Sequence, residues 1–175
     1  MKYAFIYGSL SGLVIILTML AGIVFSEQGS FFSSEWFGYL VMLVALTFIF
    51  VGVKRYRDIE RGGVITFVRA FGLGLSIAVV AGLAYALVWE IYLASTNYVF
   101  MDNYIAGIAR AKQAAGVPAA TIARQMAEWE QVRVNYRNPL YRIPMTFMEM
   151  FPVGLLVALV SAALLRNPKL LPATR

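Results

Sequence analysis

An all-α fold, a four-transmembrane-helix bundle with an extracytoplasmic amphipathic helical hairpin between its third and fourth helices, is predicted by three features of this 175-residue sequence. The chain is 61% apolar and 14% charged, whereas a water-soluble domain carries about half apolar and about a quarter charged residues. Four apolar segments reach the length of about 20 residues that a helix needs to cross a hydrocarbon core. Between the third and fourth lies a connector of intermediate polarity whose apolar residues recur at helical spacing. The whole chain, residues 1–175, reads as one membrane domain.

The first predicted span, about residues 4–25, follows a single Lys2. A cleaved signal peptide would have an apolar core of about 7–15 residues followed by a small-residue cleavage site. This segment is longer and no clear A-x-A site follows it, so a retained helix is expected. The second span, about 36–53, opens on Trp36, Phe37 and Tyr39, and the third, about 66–93, closes on Tyr85, Trp89 and Tyr92. Aromatic rings of this kind favour the membrane–water boundary. The fourth, about 143–165, ends at Arg166 and contains Pro144 and Pro152, the second of which should bend it.

Helix association in lipid relies on close approach through small residues. The third span carries Ala70, Gly74, Ala78, Gly82 and Ala86, the first carries Ala4, Gly8 and Gly12, and the fourth carries Gly154, Ala158 and Ala162. Bundle packing is the plain reading of this pattern, with a dimer interface or a substrate groove as alternatives.

The connector, about 94–141, shows two helical patterns that should form a hairpin over about 97–138. Met101, Tyr104, Ile105, Ile108 and Ala111 form one, and Ile122, Met126, Trp129, Val132 and Tyr136 the other. Gly116-Val117-Pro118 between them supplies a helix stop and then a proline suited to a helix start. Two short amphipathic helices need each other, a membrane surface or a partner to cover their apolar faces.

Charge fixes the expected orientation. Lys2, Lys54, Arg55, Arg57, Arg61, Arg69, Arg166, Lys169 and Arg175 face one side with only Asp58 and Glu60, nine minus two giving +7. The other side holds Arg110, Lys112, Arg124, Arg133, Arg137 and Arg142 against Glu27, Glu35, Glu90, Asp102, Glu128, Glu130 and Glu149, six minus seven giving −1. Short cytoplasmic loops concentrate Lys and Arg, so both termini are expected in the cytoplasm. The basic excess is thereby explained by topology, and no nucleic-acid partner is expected.

The sequence contains neither histidine nor cysteine. Disulfides, thiol nucleophiles, thiolate or imidazole metal sites and Ser-His-Asp catalysis are excluded within it. No metal, cofactor or recognisable catalytic set is expected, so the chain is not expected to be an enzyme. Gly62-Gly63 lacks a following G-K-[ST] and is read as a turn rather than a phosphate loop.

Ionisable residues in spans are costly and face protein or water. Arg69 has a side chain long enough to reach the headgroups. Glu90, on the last turn of the third span, can reach interfacial water. Glu149 lies deeper, beside a carbonyl of Met148 that Pro152 deprives of its donor. Arg142 can approach Glu149 or Glu90 if the chain bends at Pro139 and Pro144. Glu149, Glu90 and Arg142 are therefore the candidate intramembrane polar site, with a structural ion pair or neutral carboxyl and a proton, cation or polar-ligand role both open. Lys54, Arg55, Arg57 and Arg61 form the densest basic run and are expected to contact anionic lipid headgroups or a partner, each contributing about 1 kcal/mol near the surface.

The stretches GVKRYRDIERGGVITFVRAFGLG, YALVWEIY and NPLYRIPMTFMEMFPVGLLVALVSAALL resemble a family of small bacterial membrane proteins known only as a domain of unknown function. The most specific pieces are Tyr56, Arg57, Asp58, Glu60, Gly62 and Gly63 in YRD-x-E-x-GG, and Phe147, Glu149, Phe151, Pro152, Val153, Gly154 and Leu155 in F-x-E-x-FPVGL. The resemblance covers nearly the whole chain and implies a bacterial inner-membrane protein with about four spans and an extracytoplasmic helical segment. It implies no activity.

The leading functional expectation is a non-enzymatic structural or interaction module, whose partners are membrane lipids and a second copy or another protein at the hairpin. The alternative is a small transporter or proton- or cation-handling protein using Glu149. Lipid chemistry with Glu149 as base and Arg142 or Tyr141 against a phosphate is a third.

Overall fold

A computed structural model describes the backbone of residues 1–25 and 35–172 and the side chains of 1–18 and 36–172. The connector at 26–34, with Glu27 and any cleavage site after the first span, lies outside the described residues, as does Arg175. Six helices and no strand occur among those described: α1 (Lys2–Phe25), α2 (Glu35–Glu60), α3 (Phe67–Ser95), α4 (Phe100–Ala114), α5 (Ala119–Tyr136) and α6 (Pro139–Leu165). The fold is all-α. Three helices, over Trp36–Glu60, Phe67–Ser95 and Pro139–Leu165, are long and apolar enough to cross a membrane. The part of α1 with described side chains, Lys2–Thr18, is a shorter apolar helix.

Two boundaries differ from the sequence reading. Lys54 through Glu60 continue α2 rather than forming a loop, and the turn comes only at Gly62 and Gly63, whose φ values of 60° and 89° suit glycine. At the other end, α6 begins at Pro139, four residues before the expected start, and stays helical through Pro144 and Pro152. Proline at a first helical position has no N–H to lose, and the Asn138 side chain accepts the Leu140 N–H at 3.0 Å, capping the helix.

The chain divides into two compact units: Met1–Ala86 with Phe147–Arg175, and Leu87–Thr146. In the first unit, Leu46, Ile49, Val53, Ile77, Ala81, Met150, Ala158 and Leu165 are buried. The small residues are where the backbones meet. A Cβ on Gly8 would lie 2.6 Å from Val80 and 2.9 Å from the carbonyl of Ile77, and one on Gly154 would lie 2.9 Å from the Ala78 side chain. The contacts of Gly74 with Ala158 and of Gly154 with Ala78 run in opposite chain directions, as antiparallel α3 and α6 require. Ser11 donates to the Ala45 carbonyl at 3.0 Å and so ties α1 to α2 without an unpaired buried hydroxyl.

The second unit contains α4 and α5 as an antiparallel pair with Met101, Ile122 and Tyr136 buried. Gly116, at φ 73°, ends α4, and the Val117 N–H bonds back to the Lys112 carbonyl at 3.1 Å. Tyr104 meets Trp129 edge-on at 5.9 Å, Lys112 donates to Gln125, and Arg133 pairs with Asp102 at 3.1 Å. These contacts let each short helix cover the other's apolar stripe.

Candidate functional site

The polar centre of the second unit is built around Arg142, on the second turn of α6 and only 1% exposed. A guanidinium buried this deeply needs its donors satisfied. Its Nε donates to Glu90 Oε1 at 2.6 Å and its Nη2 to Glu90 Oε2 at 2.5 Å, while Nη1 donates to the Tyr136 carbonyl at 2.6 Å. This is the planar two-pronged grip that arginine forms with a carboxylate. The rings of Tyr98 and Tyr136 lie 5.0 and 5.6 Å from the guanidinium carbon, within the range of attraction between a cation and an aromatic face.

Local chain geometry delivers each part. Glu90 comes from the last turns of α3, and Asn97 and Tyr98 then adopt φ values of 52° and 57°. The left-handed region is tolerated by asparagine and costs a bulky residue about 1–2 kcal/mol. The Tyr98 N–H, bonded to the Leu93 carbonyl at 2.8 Å, fixes the turn that sets the ring beside Arg142. Trp89, one residue before Glu90, donates its indole N–H to the Tyr136 hydroxyl at 2.8 Å and packs edge-on against Phe100 at 4.8 Å. Ends of α3, α5 and α6 are thus bound through one arginine.

Glu149 has a different setting. It belongs to the first unit, with Met148, Pro152 and Leu156, and like them is exposed on α6. Among the described residues it makes no hydrogen bond or ion pair. Of the two partners the sequence allows Arg142, the structure supplies Glu90.

The basic run also separates into different roles. Arg55 and Arg61 are exposed, Lys54 is half-buried and pairs with Asp58 at 2.6 Å, and Arg57 is fully buried. Arg57 donates through Nε to Asp58 at 2.7 Å and through Nη1 and Nη2 to the carbonyls of Leu170 and Leu171 at 3.0 and 2.5 Å. It therefore does not face headgroups, because its whole fork is used in holding the segment after α6. Near it, Glu60 accepts from Lys2 at 3.0 Å and from the Tyr3 hydroxyl at 3.1 Å. Arg57 and Asp58 fall in the YRD-x-E-x-GG motif, which does not show that Arg57 reaches the Leu170 and Leu171 carbonyls, and no motif marks the tyrosines around Arg142. Arg69 is exposed.

No group of three or more carboxylates among the described residues is arranged to hold a metal ion. The arrangement at Arg142 is chemically closed, since every nitrogen of the guanidinium has an acceptor. A family model described as "Protein of unknown function (DUF4199)" matches residues 6–167. Neither the curated proteins nor the solved structures contain a match to this chain.

Proposed function

We propose, from the premise that the chain belongs to the DUF4199 family, that it is a non-enzymatic bacterial inner-membrane module. Its α1, α2, α3 and α6 cross the bilayer, and its α4–α5 hairpin is a recognition surface outside the cytoplasm. The observation that carries the reading is the Arg142 centre, which consumes the unit's deepest charges in fixing the hairpin and leaves Tyr98, Val99, Tyr104 and Val134 exposed upon it. Aromatic residues on a rigid support are favoured contacts at protein interfaces.

Four crossings rather than three are supported by where the chain returns. Lys2 pairs with Glu60, and Arg57 holds Leu170 and Leu171, so both early and late residues meet the same end of α2. This return favours an even number of crossings between Lys2 and Leu171, with α1 as the fourth. The basic excess at that end supports a cytoplasmic location for it. Exposure of Glu149 on the outside of α6 favours this reading over a transport path through one chain.

The natural absence of cysteine allows a direct test. Single cysteines at Arg61, Gly116 and Lys169 in membranes of intact cells should divide cleanly: an impermeant maleimide should label only position 116, and permeabilisation should expose the other two. Labelling of 61 or 169 from outside would refute the topology. Photo-crosslinkers at Tyr104 and Val134 in native membranes should capture a protein, whether another chain or a second copy, and failure at both sites would refute the recognition role.

A further inference from the structure

We propose that the Glu149 face of α6 is a self-association surface within the membrane, whose occupant is the same face of a second copy of this chain. Met145, Met148, Glu149, Pro152 and Leu156 are all exposed. At 100° per residue they fall in one stripe about 100° wide. Glu149 is the only charged residue between Arg142 and Arg166. It lies about 9 Å along the helix from Ile143 and about 26 Å from Arg166 at 1.5 Å per residue, inside the apolar run and nearer its Ile143 end.

A second polar group shares the stripe. Pro152 has no N–H, so the carbonyl of Met148 lacks its ordinary i+4 donor. An acid without a partner and an acceptor without a donor, set on one apolar face, are an unstable combination toward lipid tails, which offer no hydrogen bonds. A second copy gives the acid a partner. A carboxyl group carries a donor and an acceptor on one head, and a twofold axis brings each residue opposite or near itself. Two neutral Glu149 carboxyl groups facing each other pair donor with acceptor, and in the alternative arrangement each O–H donates to the other chain's Met148 carbonyl, in either case without any further residue. The flanking methionines adapt their shape to such a contact, and Leu156 closes it on the far side. The inference depends on α6 crossing the bilayer, not on a recognition role for the hairpin.

The test uses the full-length chain in liposomes at high lipid excess, with association read by energy transfer between labelled copies. Glu149→Leu, which leaves helix propensity and volume nearly unchanged, should weaken association about tenfold, the scale of interhelical hydrogen bonds in membranes. Glu149→Gln, which keeps a donor and an acceptor, should stay within about threefold of the parent. Cysteines at Met145 and Leu156 should each crosslink to the mass of two copies, while one at Leu83 on α3 should not. Protection of the Arg142 region against hydrogen exchange serves as the folding control and should be the same in all variants. A monomeric parent, association equal in the Leu variant, a Gln variant as weak as the Leu variant, or crosslinks only to a different protein would each overturn the proposal. Because topology labelling and hairpin crosslinking are read separately, these outcomes do not depend on the module reading.

Discussion

Replacing Arg142 by methionine should loosen the second unit selectively, and replacing both members of its pair should undo much of the damage. Arg142→Met keeps an unbranched apolar stem and removes three donated hydrogen bonds, two to Glu90 and one to the Tyr136 carbonyl. It leaves a carboxylate that is only 19% exposed without a counter-charge. Breaking a buried pair from one side costs about 3–5 kcal/mol; residual access of Glu90 to solvent puts the expected loss near about 3 kcal/mol. Adding Glu90→Leu removes the stranded charge and should recover about 1–2 kcal/mol, since apolar replacements of buried pairs are often tolerated. The assay is hydrogen exchange followed by mass spectrometry in nanodiscs. A loss of about 3 kcal/mol speeds local opening by about two powers of ten. That acceleration should be confined to α4, α5 and the first turns of α6, with the amides of α2 unchanged. A single mutant indistinguishable from the parent, or a double mutant worse than the sum of the singles, would refute the assignment of Arg142 as the latch of this unit.

Two further substitutions follow from the first unit. Arg57→Lys should fail to replace arginine despite its charge, because one ammonium cannot span Asp58 and the two successive carbonyls of Leu170 and Leu171; proteolysis after Lys169 should become at least about tenfold faster, as a loss of about 1.4 kcal/mol in the closed state predicts, and an unchanged rate would exclude the clamp. Gly154→Leu drives a side chain into Ala78, already 2.9 Å from an added Cβ, and should cost at least about 1–3 kcal/mol by overpacking; a thermal midpoint unchanged in detergent would show that α3 and α6 do not approach as closely as described.

How much of this was legible in the sequence depends on whether the signal was local. Gly116-Val117-Pro118 announced the α4–α5 break because the turn chemistry is complete within three residues, and the helix ends at Gly62-Gly63 for the same reason. Ala78, Gly154 and Ala158 were recognisable as contact residues from spacing, and they lie at the α3–α6 approach. The start of α6 was missed because hydrophobicity begins at Ile143, whereas the helix begins at Pro139; the first turn is helical for reasons of capping and of the buried Arg142, not of apolar content. Arg57 was unreadable for a deeper reason. Its partners are the carbonyls of residues 170 and 171, and main-chain acceptors leave no mark on residue type. Arg142 had two acids within sequence reach of its expected position, and only tertiary structure selects Glu90.

Arg57, Arg142 and Glu149 therefore differ in kind. Arg57 and Arg142 are both essentially inaccessible, and in both the guanidinium carries a carboxylate on one edge and main-chain oxygen on another. Each cation closes a separation in sequence that no short loop closes, 113 residues for Arg57 to Leu170 and 52 for Arg142 to Glu90. Their desolvation is offset inside the chain, so a neutral membrane environment asks nothing more of them. Glu149 has the opposite balance: it is on the surface, in the middle of an apolar face, and its hydrogen-bonding capacity is directed outward. Water outside a membrane would satisfy it at no cost, whereas lipid tails offer it no hydrogen bond. Charges that complete themselves fix a fold; a carboxyl group left without a partner inside the fold is the one on which the proposed self-association rests.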